Sequence, residues 1–181
     1  GINTMPEHEI KLLAYLIAEG HTKSVVLFSN SDEKIVREFE DSLNKFDPSL
    51  KLIKEKENHY RISSPNWKIK VLEHNLDRDD LGHFKKGYAN KFEKRSIREL
   101  IEREELFGKL SIQKYLSQNI MKLKKEDLSL FLNRLFSCDG SIYCKKSKTN
   151  TGKTWQISYS SSSEKLIRQV QSLLLRFGII S

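Results

Sequence analysis

Cysteine is nearly missing from this chain of 181 residues. The two present, Cys138 and Cys144, stand in no metal-ligand spacing with histidine. A reduced, cytoplasmic setting is therefore expected. Long apolar runs are missing too. None approaches the length of a membrane span and none reads as a signal peptide, so no membrane partner is expected. The histidines (His8, His21, His59, His74 and His83) show no paired metal spacing, and no Ser-His-Asp arrangement can be assembled. Thr151-Gly152-Lys153-Thr154 resembles the end of a phosphate-binding loop. It lacks the upstream glycine and falls between two strand-like runs, which rules that reading out.

Acidic residues are scarce in one region. Residues 128–181 carry eight Lys/Arg, opposed only by Asp139 and Glu164, a net +6. The whole chain carries +8, from 32 Lys/Arg against 24 Asp/Glu. Such a field favours polyanions, nucleic acid before acidic membrane. Apolar residues make up 38% and charged residues 31% of the chain, a globular profile with ample material for a core.

The elements recur. Residues 7–19 read as a helix apolar almost all round, through Ile10, Leu12, Leu13, Tyr15, Leu16 and Ile17, which a helix tolerates only when buried. Gly20 ends it as a C′ glycine. An extended stretch over 24–28 follows. Ser31-Asp32-Glu33 then starts an amphipathic helix along Ile35, Val36, Phe39 and Leu43, stopped at Asp47-Pro48. Strands over 50–56 and 60–63 come next. Residues 67–125 form a connecting region, with Lys85, Lys86, Lys91, Lys94, Arg95 and Arg98 as a basic cluster and a helix over 96–107 ending at Gly108. The pattern then restarts: an apolar helix over 128–139, Gly140, strands over 141–148 and 154–160, and a helix over 165–177 closed by Gly178. The domains expected are 7–66, 67–125 and 126–181, the first and last being divergent copies of one unit. The second hairpin of the second copy falls outside the sequence, so that half is expected to be incomplete or completed by another chain.

Each apolar helix ends in acid-glycine, Glu19-Gly20 and Asp139-Gly140. One such pair is common. An acid is disfavoured at a helix C-terminus, where the dipole is already negative, so its recurrence at the same place in both copies calls for a reason. Two buried helices packed side by side would bring Glu19 and Asp139 together. Carboxylates that close repel each other and attract divalent cations, and hard oxygen ligands suit magnesium, which also binds phosphate oxygens. Phosphodiester cleavage is chemistry that such a site does well.

These segments, residues 12–21 and 131–142, resemble the two signature helices of the LAGLIDADG (dodecapeptide, DOD-type) homing endonucleases, especially the intein-encoded type. Phe28-Ser29-Asn30-Ser31-Asp32 is similar to the family's second strand and the start of its next helix. The resemblance runs from about residue 9 to 180. It implies an α+β fold of two pseudo-symmetric αββαββ-type halves, a saddle of antiparallel sheets over double-stranded DNA, and a monomer with pseudo-two-fold symmetry. It further implies Glu19 and Asp139 as catalytic, metal-binding acids, one for each strand, with Mg2+ or Mn2+ as cofactor and assistance from the carbonyls of Ala18, Cys138, Gly20 and Gly140. The activity implied is a staggered double-strand break at a long site. Fusion to an intein splicing domain in a longer protein is implied as well; the leading nucleophile and closing His-Asn of an intein are absent, so this chain alone is not expected to splice. Two departures stand out. Glu19 occupies a position where aspartate is usual, and Arg134 one where a small residue lets the helices touch. Ala14 and Ala18 remain small, so Arg134 is expected to lean out of the interface or the approach to be asymmetric.

Strand alternation proposes the DNA-facing residues. Tyr143, Lys145 and Ser147 would face DNA, with Ile142 and Cys144 turned to the helices. In the next strand Gln156 and Ser158 would face out, with Trp155, Ile157 and Tyr159 turned inward. In the first half His59, Arg61 and Ser63 would face out from Tyr60 and Ile62, with Lys54, Lys56, Lys148 and Lys153 as further candidates. A two-stranded ribbon fits the major groove, where Arg, Gln and Lys can read base edges. Any one of these positions could equally be an ordinary solvated strand face. Lys85, Lys86, Lys94 and Arg95 suit phosphates better than bases. Two further readings remain open: a non-cleaving DNA- or RNA-binding relative (a maturase-like protein or regulator) and a basic interaction module without metal chemistry.

Overall fold

A computed structural model describes residues 1–63, 96–146 and 153–181, with backbone only at 145, 146 and 153. Helix α1, Glu7–Glu19, buries Ile10, Leu12, Leu13, Ala14, Tyr15, Leu16 and Ile17. It can be apolar all round because it is covered on several sides. Helix α2, Glu33–Phe46, packs on one flank, and α5, Lys125–Asp139, lies along the other. Helix α5 contributes Leu128, Phe131, Leu132 and Leu135 to the same core. A fully buried Leu or Phe contributes roughly 1.5–3 kcal/mol, so this contact is the main apolar tie between the two units.

The chain leaves α1 directly into β1, Gly20–His21, which pairs with β2, Leu27–Ser29. Strands β3, Lys51–Lys56, and β4, His59–Ser63, complete an antiparallel sheet of order β1-β2-β4-β3. Gly20 pairs with Phe28, Phe28 with Tyr60, and Ile62 with Leu52, so these residues share one face. That face meets the helices, where the ring of Phe28 stacks on Phe39 at 4.1 Å and Tyr15 meets Phe39 edge-on. Asp32 caps α2, accepting a hydrogen bond from the N–H of Lys34 at 2.8 Å, close to where the sequence signal lies.

The connecting region enters the description at α3, Ser96–Arg103, followed by a 3-10 turn, Ser111–Gln113, and the short α4, Gln118–Met121. Helix α3 stops four residues before the predicted end. Glu105 adopts φ +57° and the chain turns to bury Glu104 and Leu106, with Ser117 donating a hydrogen bond to the Glu104 carboxylate. After α5 come β5, Gly140–Lys146, and β6, Lys153–Tyr159, then α6, Glu164–Leu175, capped by Ser163. The order helix, strand, strand, helix thus occurs twice among the described residues. No described helix is long and apolar enough to cross a membrane.

Three expectations are corrected. Gly20 and Gly140 are not left-handed C′ glycines; their φ values are −84° and −90°, in extended backbone. Glycine is required there by space, because a Cβ would stand 2.4 Å from the carbonyl oxygen of Leu16 or Phe136. The inward assignment of Ile142, Trp155 and Ile157 also fails, since all three are about two-thirds exposed. They do share a face with Tyr159 through the register, but the β5–β6 ribbon has seven residues per strand, and it is at its base that Tyr159 packs, on Phe136 at 5.1 Å. The rest of that face runs past the helices. Finally, Ser63 is 5% exposed rather than outward, because it ends β4 opposite Lys51, beside the buried Leu50.

Candidate active site

Glu19 is the last residue of α1 and Asp139 the last of α5, so the α1–α5 packing brings both acids to one end of the helix pair. Both are about half-buried. Burial raises the Glu19 carboxyl above the usual range and the charge of Asp139 raises it further. Burial likewise raises Asp139. The like charge anticipated from sequence thus acts on Glu19, while Asp139 is raised by its burial.

One residue that sequence reading did not single out opposes these shifts. Lys114, from the connecting region, is 3% exposed. Its Nζ donates to the carbonyl oxygens of Leu16 at 3.0 Å, Ile17 at 2.8 Å and Gly20 at 2.7 Å. These carbonyls close α1, where the helix dipole is negative and donors are few; that of Leu16 also accepts from the Gly20 N–H. Burial lowers the lysine to about 8, while the charges of Asp139 and Glu19 hold it up. In return Lys114 lowers both acids. A lysine within a mixed connecting segment carries no sequence signal for this role; only the fold reveals it. Its own backbone carbonyl accepts from the cap residue Ser163 at 2.6 Å, which ties α1 through the connector to α6.

Beside Glu19 opens a cleft of about 460 Å³, lined also by Ser29, Asn30, Ser31, Asp32, Ile35, Asn58, His59, Ser137 and Cys138. Ser29 Oγ lies 2.8 Å from His59 Nδ1. Burial and the charges of Glu19, Asp139 and Asp32 push the Cys138 thiol up to about 12, so it stays protonated and offers no thiolate.

The donor set suits a hard divalent cation. Two half-buried carboxylates end neighbouring helices, with backbone carbonyls of the helix ends beside them, and oxygen donors of this kind are what such a cation takes. Among the described residues no group of three or more His, Cys, Asp and Glu forms a metal cluster. The Gly20 carbonyl already accepts from Lys114.

The predicted DNA-facing residues fall into three groups. On β5–β6, Tyr143 lies opposite Gln156 and Ser141 opposite Ser158. Tyr143 donates to Gln156, and the two serine hydroxyls are 2.7 Å apart, so these residues share the face opposite Trp155. The backbone register puts Lys145 on that face, opposite Thr154, and pairs Lys153 with Lys146. On β3–β4, His59 is exposed but Arg61 is bound to Glu55 at 2.6 Å. Lys54 lies opposite Tyr60, on the other face from Arg61, whereas an irregularity in register brings Lys56 opposite His59. Lys85, Lys86, Lys91, Lys94, Arg95, Ser147 and Lys148 lie outside the described residues. Arg98 pairs with Glu102 at 2.9 Å and stacks on Phe107.

Arg134 leans out of the helix interface. Its Nη2 donates to Glu38 of α2 at 2.7 Å. Lys11 binds the same carboxylate at 2.9 Å and Tyr15 donates to it. Burial alone would raise Glu38, but the hydrogen bonds from Arg134, Tyr15 and Lys11 bring it down to about 2.

Comparison with known proteins agrees with part of this reading. The family model for a LAGLIDADG-like domain matches residues 126–181, the segment comprising all but the first residue of α5 together with β5, β6 and α6. The chain is also similar to the replicative DNA helicase DnaB of Synechocystis sp., 33% identical over 86 residues. That match covers 48% of this chain and 10% of the helicase.

Proposed function

We propose that this chain is a site-specific homing endonuclease that makes a staggered double-strand break in DNA, carried as part of an intein. The observation that carries the reading is the pair Glu19 and Asp139: two half-buried carboxylates at the ends of two packed helices, both raised by burial, with Glu19 raised further by its neighbour. A fold keeps such a pair at a cost in stability, and binding a cation beside a phosphate gives that cost a use.

In this reading Glu19 and Asp139 hold a magnesium or manganese ion, with the carbonyls of Ala18, Cys138 and Gly140 close by. When bound, the ion supplies charge stabilisation at the phosphate and a more acidic water. The protein's own residues do the rest. Lys114 fixes the end of α1 and tempers the repulsion between the acids. The cleft beside Glu19 gives room for a sugar-phosphate backbone. Tyr143, Gln156, Ser158 and Lys145 on the open ribbon face, with His59 and Lys56 on the other sheet, contact the duplex. A match confined to a tenth of a replicative helicase fits a segment embedded in a longer host protein.

The alternative, a non-cleaving DNA- or RNA-binding relative, draws on Lys114, whose buried ammonium opposes both acids and so competes with a cation. The deciding experiment is cleavage of a plasmid carrying the uninterrupted insertion site in magnesium, with Asp139→Asn as control. Defined cutting by the wild type alone supports the endonuclease; binding without cutting supports the alternative.

A further inference from the structure

The two units share a charged node on one side that has no counterpart at the equivalent positions of the other. Counted back from the acids, Arg134 stands where α1 has Ala14. Counted from the caps Asp32 and Ser163, Glu38 of α2 stands where α6 has Gln169. Arg134 crosses from α5 to Glu38 at 2.7 Å, and Lys11 and Tyr15 of α1 join the same carboxylate. Three helices thus meet at one charged group. On the other side Ala14 has no reach, and Gln169 instead grips the backbone of Leu116, accepting from its N–H at 2.8 Å and donating to its carbonyl at 2.9 Å.

This node lies just beneath the acids. Tyr15 is one helical turn before Glu19, and Arg134 is one turn before Cys138, the neighbour of Asp139. Apolar contacts between helices are non-directional and permit several crossing geometries. A charge-assisted hydrogen bond onto a half-buried carboxylate is directional, and such pairs specify register in some helix assemblies.

We propose that the Glu38–Arg134 pair, with Tyr15 and Lys11, is a positioning node that fixes the rotation of α5 against α1 and thereby the placement of Asp139 relative to Glu19. The proposal rests on the reading of these acids as a cation site. Arg134 itself touches neither acid in this role; it acts through the helix that carries Asp139.

The test is a manganese titration followed by electron paramagnetic resonance, together with thermal unfolding, on the wild type, Arg134→Met, Arg134→Lys and Glu38→Gln. Val170→Ala, a core change on α6 away from the acids, serves as the stability control. Arg134→Met is expected to bind manganese about tenfold more weakly, a loss typical of removing a residue that orients ligands. Arg134→Lys recovers most of the affinity, and Val170→Ala keeps it despite a lower Tm. In cleavage, kcat falls while KM for DNA holds. If Arg134→Met does not fold, Glu38→Gln carries the same expectation. Wild-type affinity in the folded variant, or a loss of affinity that simply follows Tm through Val170→Ala, would overturn the proposal and leave the cation site standing. A wild type that neither binds manganese nor cuts DNA would remove the cation site and the node's role with it.

Discussion

The ammonium of Lys114 sits 2.7 Å from the carbonyl oxygen of Gly20, inside the turn that carries the chain from α1 into the sheet. It also reaches the carbonyls of Leu16 and Ile17, so one buried side chain satisfies three acceptors at the end of a helix that has just placed Glu19. Lys114→Met keeps the length of the side chain and removes the donors. The Leu16 carbonyl keeps its bond from the Gly20 N–H; each of the other acceptors left unsatisfied costs about 1–3 kcal/mol, so a clear fall in the denaturation midpoint is expected, read by urea unfolding. An unchanged midpoint would mean that water takes over the three contacts.

The same lysine gives stability a pH dependence. Burial lowers it to about 8, below its value in an unfolded chain, so the folded state binds fewer protons between that point and the unfolded value. Its contribution to stability should therefore grow as pH rises through this window. Lys114→Met should flatten the rise, as measured by unfolding at several pH values.

Glu19 and Asp139 have the opposite consequence. Both are raised, so their charged forms at neutral pH weaken the metal-free fold. Asp139→Asn should therefore raise the Tm of the metal-free protein at pH 7 and narrow its gain on adding magnesium or calcium. The advantage of the variant should vanish at acid pH, where the wild-type carboxyls are protonated. A variant less stable than the wild type at pH 7 would contradict the repulsion described here.

Gly20→Ala and Gly140→Ala each place a methyl group 2.4 Å from a helix carbonyl. The backbone must shift, and a cost of roughly 1–3 kcal/mol is expected for each, visible as a lower Tm. A neutral result at either position would show that the helix–strand junction yields more easily than its geometry indicates.

What could be read from the sequence followed from local patterns. Continuous apolar character marked α1 and α5 as buried, the Asp32 signal marked the start of α2, and the repeated acid-glycine placed Glu19 and Asp139. Arg134 was recognisable as out of place, though its partner was not, because Glu38 lies 96 residues away on a helix that carries other acids the sequence does not tell apart from it. Lys114 was invisible for the same reason: its partners are backbone atoms 94 to 98 residues earlier. Alternation assigned faces correctly within the β5–β6 ribbon, since Tyr143 and Gln156 do share one. It could not say whether anything covers the other face, which depends on where the helices end.

The most direct test of the account is cleavage in magnesium by the wild type, Glu19→Gln and Asp139→Asn, on a duplex carrying the uninterrupted insertion site and labelled on each strand. The account predicts defined cuts by the wild type and a loss of at least about 100-fold in both variants, larger than changes outside the metal-binding residues usually cause, with DNA binding retained. Normal cutting of both strands by either variant would contradict the assignment of the two acids as the active site.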